Sequence, residues 1–411
     1  MMLTPDEGFL DRRIAYEAGS LASHGWAVDV VSAVDPTLRY DGSLSPGVRL
    51  ISGAGARAPA GRAKRALRLV KRSMSSVVPR VGRLIETAQY RLGDIAGDIS
   101  SSAGPAVARL GRYDVVFAHD LPVLPLAHAI KKRWDCPLIC DLHEVFPEQT
   151  AWITSRAGRE YWRRIEADYF AECDALLVVN HGVGEYVRSR YGDTTPIAVI
   201  HNSLPYVDPE QLAGQRLGAY FPIPPDKRVM VWAGTLRSQT NLDTLIRGFS
   251  RAHLPGWVLA IVGDGPLEQP LKQLIRAEAA DDRVFIGRRA PQDELVSVIS
   301  SADVGLLAYQ PESFNLLIAT PNKLYEYIQA RVPIATSPLP QIQRIVEAHG
   351  NGRFVDFASP ESTAAGLRSF VDDELPSISA RSLEAAARQF SWSHDEQRLL
   401  AVVDGVLGTT T

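Results

Sequence analysis

The sequence predicts an α/β protein built from two successive doubly wound domains, each a parallel sheet covered by helices on both faces. Three observations predict it. Short apolar runs alternate with helix-length stretches along nearly the whole chain, and runs of that kind mark strands buried on both faces. The chain has 411 residues, more than one ordinary core accommodates, so two domains of about 200 residues are expected. A stretch rich in Pro and Gly, SLPYVDPEQLAGQRLGAYFPIPPDK (203–227), separates two sets of such runs and reads as their join.

The first set is WAVDVVSA (26–33), DVVFA (114–118), PLICDL (137–142), ALLVV (175–179) and IAVI (197–200). Only MMLT precedes the polar loop PDEGFLDRR. The first strand is therefore expected to be a stub, or the chain to begin inside its natural reading frame. The second set is VMVWAG (229–234), VLAIVG (258–263), RVFIG (283–287), VGLLAY (304–309) and PIATS (333–337). The expected domains are 1–202 and 228–390, with 203–227 as linker and 391–411 as a terminal helix.

The most explicit chemistry lies in TPNKLYEYIQARVPIATS (320–337). Thr320 suits a helix cap and Pro321 the first helical position. Asn322, Lys323 and Leu324 then present unpaired backbone N–H groups at the positive end of a helix dipole, and the Lys323 ammonium joins them. Such a convergence favours a phosphate or diphosphate. Glu326 follows on the same face as Lys323, where a carboxylate can accept from a ribose hydroxyl. A capped surface helix with a Lys–Glu pair fits the same spacing. The strand and helix context favours nucleotide binding.

Composition narrows the class. With 45% hydrophobic and 22% charged residues the chain reads as globular. No apolar run approaches the ~20 residues of a membrane span, and the N-terminus lacks the apolar core of an export signal. Cys136, Cys140 and Cys173 make no metal-ligand pattern and fit a reducing, cytoplasmic setting. The net charge of −3 hides an asymmetry. Between Arg57 and Arg91 stand ten basic residues and one acidic residue, Glu86, interleaved with apolar side chains such as Leu67, Leu69, Val70, Val81 and Ile85. A basic amphipathic insertion over 57–91 reads as an anionic membrane surface binder at the inner face of the plasma membrane, or as a solvated helical insertion. With one aromatic in it, Tyr90, nucleic acid is not an expected partner.

In open parallel sheets, ligands sit outside the carboxyl ends of the strands. The residues there are His119 and Asp120, His143 and Glu144, Asn180, and His201 and Asn202 in the first half. A single histidine after a strand usually serves as a loop hydrogen bonder; several polar residues at successive strand ends favour a cleft. In the second half, Gly234 permits close backbone approach and Arg237 offers a fork for phosphate. Gly263 and Gly265 lie in a GDGP turn, and Gly287 and Arg288 close the next strand.

These stretches carry a resemblance. GDGP, RVFIGRRAPQDELVSVISSADVGLLAY and PNKLYEYIQARVPIATS resemble the C-terminal nucleotide-sugar domain of family-4-type glycosyltransferases of the GT-B fold. DRRIAYEAGSLASHGWAVDVVSA, which contains Arg13, with YDVVFAHDLPVLPLA and CDLHEVFPE, resembles their acceptor-side domain. VIHNSLP resembles the entry to the interdomain linker, and FSWSHDEQRLL (390–400) the helix that crosses back to the first domain. The resemblance implies two Rossmann-like domains facing across a cleft, and retaining transfer of a sugar from a nucleotide diphosphate without a metal. It implies that Glu326 contacts the donor ribose and that Lys323 and Arg237 meet the diphosphate, with Gly234, Gly263, Gly265, Arg288, Asn322 and Leu324 around the donor. By the same resemblance His119 reaches the donor sugar and Gly8 lies in a loop that closes over the phosphates. Arg13, Asp120, His143, Glu144, Asn180 and Asn202 fall on the acceptor side, and the basic segment 57–91 suggests a glycan or glycolipid acceptor such as a lipid-linked polysaccharide precursor at the membrane face.

Two positions depart from the family pattern. The first acid of its E-x7-E signature falls on Ile318, with Glu312 or Asn315 as nearby substitutes, and a basic residue expected after the strand-end glycine falls on Thr240. A nucleotide-sugar epimerase of the same fold, or a non-catalytic partner that binds sugar nucleotide or membrane, fits the architecture as well.

Overall fold

The computed structural model describes residues 1–6, 9–35, 38–40, 43–52, 95–149, 153, 155–212, 217–237 and 240–408. Contacts divide the chain into two compact units, Met1–Ile200 with Glu396–Thr411, and His201–Asp395. In the first unit, β1 (Met2–Thr4), β2 (Val28–Ser32), β3 (Val48–Ser52), β4 (Val116–His119), β5 (Leu138–Leu142), β6 (Ala175–Val178) and β7 (Ile197–Val199) form one parallel sheet. Its order is β3-β2-β1-β4-β5-β6-β7, so the strand order reverses beside β1 and β4, where ligands sit in such sheets. The stub β1 is central: Met1 lengthens its ladder by accepting from the Phe117 N–H at 2.8 Å.

β3 is absent from the sequence reading for a physical reason. Its residues VRLIS alternate, with Arg49 exposed and clamped on Asp29 at 2.7 and 2.8 Å. An edge strand half open to water lacks the continuous apolar run of a central one. The same holds for GRF, the short edge strand of the second sheet.

In the second unit β8 (Arg228–Ala233), β9 (Trp257–Val262), β10 (Val284–Gly287), β11 (Val304–Leu307), β12 (Ile334–Thr336) and β13 (Gly352–Phe354) follow the order β10-β9-β8-β11-β12-β13. Alternation along β8 feeds two cores: Val229, Val231 and Ala233 on one face, Met230 and Trp232 on the other. Residues 203–212 and 217–227 do not form a separate linker. Leu204, Leu217 and Phe221 are buried in the core of this unit, so the division falls at Ile200/His201. The helix Trp392–Leu407 starts in the second unit and ends in the first.

Two glycine turns are pressed together at the carboxyl ends of β8 and β9. Gly234, Gly263 and Gly265 have φ of 146°, 158° and 151°. A Cβ on Gly263 would fall 1.9 Å from the Gly234 carbonyl oxygen, and one on Gly265 2.5 Å from that of Leu236. No side chain fits either place. The basic segment 57–91 and Gly8 lie outside the described residues. Among the described residues, no helix is long and apolar enough to cross a membrane, and all three cysteines are buried and free.

Candidate functional site

In the second unit the site is built around the helix Asn322–Gln329, whose N-cap position is taken by Pro321 without a side-chain cap. Thr320 therefore does not cap it. The Leu324 N–H already donates to the Pro321 carbonyl at 2.9 Å, and its side chain is in the core. Asn322 and Lys323 alone keep backbone N–H groups without an acceptor among the described residues. Tyr327 anchors this helix to the sheet. Its hydroxyl accepts from the Ala233 N–H at 3.2 Å and lies 3.2 and 3.3 Å from the carbonyls of Val231 and Leu306. Its ring lies over Gly305, where a Cβ would come within 2.7 Å.

That anchoring places Lys323 at the turn after β8. Its ammonium stands 3.1 Å from where a Cβ on Gly234 would lie. It sits 4.2 Å from the centre of the Trp232 ring and donates to the Tyr309 hydroxyl at 3.1 Å. Lys323, two free N–H groups and the Gly234 turn thus form one cationic corner. Glu326 is buried one turn on, and Arg237 is exposed on the loop after Gly234. Arg288 is committed elsewhere: its guanidinium donates to the Ala219 carbonyl at 3.0 Å and lies over Tyr220. Ile318 is buried, Glu312 exposed and Asn315 half-buried. Thr240 closes its own turn by donating to the Arg237 carbonyl at 2.6 Å.

In the first unit the register pairs His119 of β4 with Asp141 of β5, and His143 follows two residues on, on the same face. Asp141 is fully buried. It takes Arg13 Nη2 at 2.6 Å on one oxygen, and Arg13 Nε at 2.9 Å, His119 Nδ1 at 3.1 Å and His143 Nε2 at 2.9 Å on the other. Arg13 is positioned by the Asp11-capped start of the helix Arg12–Ser23, and its Nη1 donates to the Ile200 carbonyl at 2.6 Å. Asp120, at φ 62° and ψ 168°, holds a backbone conformation costly to any side chain. It accepts from the His143 N–H at 3.1 Å.

Charges in this cluster are sharply sorted. Burial alone would raise the Asp141 carboxyl, but Arg13 and the two histidines hold it well below the usual range. Burial disfavours charge on His143 too, yet Asp120 and Asp141 raise it well above an ordinary histidine. Burial lowers His119, against the pull of Asp141. Asp120 is pushed up by burial to about 6. His119, Asp141 and His143 bring ligand-type atoms within 4.8 Å of one another. A divalent cation there would have to displace Arg13 and a protonated His143 from Asp141, so this donor set suits a cation poorly.

Glu17 belongs to the same cluster and is fully buried. Its Oε1 is 3.1 Å from Arg13 Nε, and its carboxyl lies within hydrogen-bonding reach of Asp141. Burial, then the charge of Asp141, pushes it up to about 8. The folded state therefore holds a proton that the unfolded chain releases near the ordinary value of 4.5. Between those values the unfolded state binds fewer protons, so stability falls as pH rises. Glu17→Gln is expected to remove that slope. A tenfold change in proton affinity on folding corresponds to about 1.4 kcal/mol. The gain expected for the variant at pH 8 is about 1–3 kcal/mol, measured by calorimetry of both proteins from pH 5 to 9. Equal slopes would sink the assignment.

Asn180 caps the helix His181–Tyr191 by accepting from the Val183 N–H at 3.0 Å. Glu144 is half-buried beside His143, and Asn202 is half-buried in the second unit. Sequence reasoning missed Asp141 and Glu17. Asp141 lies inside a strand, and Glu17 reads as the polar face of a helix. The signal available was i,i+2 spacing in DLH.

Two family models match the chain: "Glycosyl transferase 4-like domain" over residues 10–203 and "Glycosyl transferases group 1" over 219–390. A D-inositol 3-phosphate glycosyltransferase of Mycolicibacterium smegmatis is 27% identical over 303 residues, 71% of this chain and 67% of that protein. Sucrose-phosphate synthase of Thermosynechococcus elongatus superposes with a TM-score of 0.70 at 16% identity, covering 100% of this chain and 99% of that one. Anabaena HepE in complex with UDP superposes with a TM-score of 0.65 at 13% identity, covering 98% and 99%.

Proposed function

The chain belongs to the family-4-type glycosyltransferases of the GT-B fold; from that membership we propose that it transfers a sugar, with retention and without a metal, from a nucleotide diphosphate to a hydroxyl of a lipid-linked or cell-surface polysaccharide precursor. The observation that carries this reading is the cationic corner of the second unit. The Lys323 ammonium reaches the Gly234 turn, and the N–H groups of Asn322 and Lys323 are open at the start of its helix, a combination that suits a diphosphate. Charge that develops on the leaving diphosphate is stabilised there by preorganised donors, with Arg237 as a further cation from its loop. Glu326 accepts from the ribose. In the first unit His119 orients the transferred sugar.

No protein carboxylate is required as nucleophile in this reading, because the leaving phosphate itself can take the acceptor proton. The basic segment 57–91 supports an acceptor at an anionic membrane on the cytoplasmic side. The UDP in the Anabaena complex makes UDP-sugars the first donors to try. The test is incubation with UDP-, GDP-, ADP- and TDP-sugars and glycolipid acceptors, in chelator, with and without anionic vesicles, and NMR of the product anomer. Transfer from an α-linked donor to an α-product, faster on vesicles, is expected. Inverted product, a need for metal, or donor epimerised without acceptor would each overturn the corresponding part.

A further inference from the structure

We propose that Asp141, locked by Arg13, positions His119 for the transfer reaction by holding it as the Nδ1–H tautomer, so that Nε2 is a bare acceptor for a substrate hydroxyl. This rests on the glycosyl-transfer reading and goes beyond it by assigning the polarity of the histidine and the residues that set it. Asp141 is an ionised acceptor surrounded by donors, so the 3.1 Å contact has one sense: His119 Nδ1 donates. Nε2 is then the nitrogen that faces substrate. It is buried and has no hydrogen-bond partner among the described residues, and a buried polar atom left so is destabilising. A substrate O–H that uncovers and meets it removes that cost only if Nε2 lacks a proton.

The surroundings enforce this state. His119 is fully buried, and the charges that face it are Asp141, His143 and Arg13. His143 already carries the imidazolium on the same carboxylate oxygen, which disfavours a second positive charge on the neighbouring ring. Asp141 itself is faced by Arg13, His143, His119, Glu17 and Asp120. It cannot swing away, because Arg13 grips both oxygens and is itself tied to the Ile200 carbonyl. Glu17, kept neutral, leaves that guanidinium to Asp141. Two histidines on one carboxylate thus take opposite forms, one neutral and accepting, the other cationic.

The experiment is 15N NMR of histidine-labelled wild type and Asp141→Asn, with kcat and donor Kd for both. In the wild type the His119 Nε2 is expected to give the signal of an unprotonated ring nitrogen at pH 7. In Asp141→Asn that signal is lost or mixed and kcat falls about 10²–10⁴-fold, while nucleotide binding in the second unit stays within about threefold. A protonated Nε2 in the wild type overturns the proposal even if the variant fails to fold, and so does an unchanged kcat in a folded variant. A wild type that transfers no sugar overturns the transfer reading instead, and is told apart because the tautomer is read without turnover.

Discussion

Lys323→Ala is expected to abolish the thermal shift that the cognate nucleoside diphosphate gives the wild type. Ligand at about 100 Kd adds about 2.7 kcal/mol, a rise of roughly 5–10 °C for a unit near 200 residues. On the proposed reading, removing one ammonium from the diphosphate site costs about 1.5–3 kcal/mol, so the same ligand concentration leaves little shift. Transition-state charge on the leaving group is larger than in the bound donor, and kcat/KM is expected to fall about 10²–10³-fold. The variant also loses the ammonium's contacts with Trp232 and Tyr309, worth about 0.5–1 kcal/mol each. Lys323→Met keeps most of the packing and separates the two effects. The readout is Tm against UDP, GDP, ADP, TDP and CMP for the three proteins. A nucleotide that shifts Lys323→Ala as much as wild type would show that the diphosphate lies elsewhere.

His119→Ala is expected to act on turnover rather than on donor affinity. The imidazole is in the first unit, and the cationic corner in the second is built without it. kcat should fall about 10²–10³-fold, with donor Kd changed less than about threefold. The substitution leaves Asp141 paired with Arg13 and His143, so the buried carboxylate keeps its charge partners and the unit stays folded. Steady-state kinetics with saturating donor, alongside nucleotide titration, separates the two quantities. Wild-type kcat in this variant would remove His119 from the reaction.

The second site was legible because its parts are local. Lys323, Glu326 and the helix start lie within one short stretch, and spacing along a helix places them on one face. Even there the sequence misplaced the start by a residue. Pro321 stands at the cap and spends its carbonyl on Leu324, which leaves that N–H no longer an open donor. Arg288, at the end of its strand, was expected around the donor. Its engagement with Ala219 and Tyr220 depends on where 217–220 packs, and no spacing records that.

The first site was legible only as scattered residues. His119, Asp120 and His143 stood out because they follow strands. Asp141 did not, because it sits within β5, and its value comes from the register that sets it beside His119 and from Arg13, 128 positions away. Glu17 is a polar residue on an amphipathic helix until the fold seals it.

By itself, then, the sequence determined two parallel α/β units, the glycine turns, and the helix that carries Lys323 and Glu326 close together near its start. These follow from periodicity and from steric limits on single residues, which act over a few positions. The tertiary structure decided which strands are edges, that 203–212 and 217–227 join a core, and that Arg13, Glu17, His119, Asp141 and His143 share one buried cluster. Their protonation states follow from burial and mutual charge in a low-dielectric interior, and neither exists until strands distant in the chain are brought side by side.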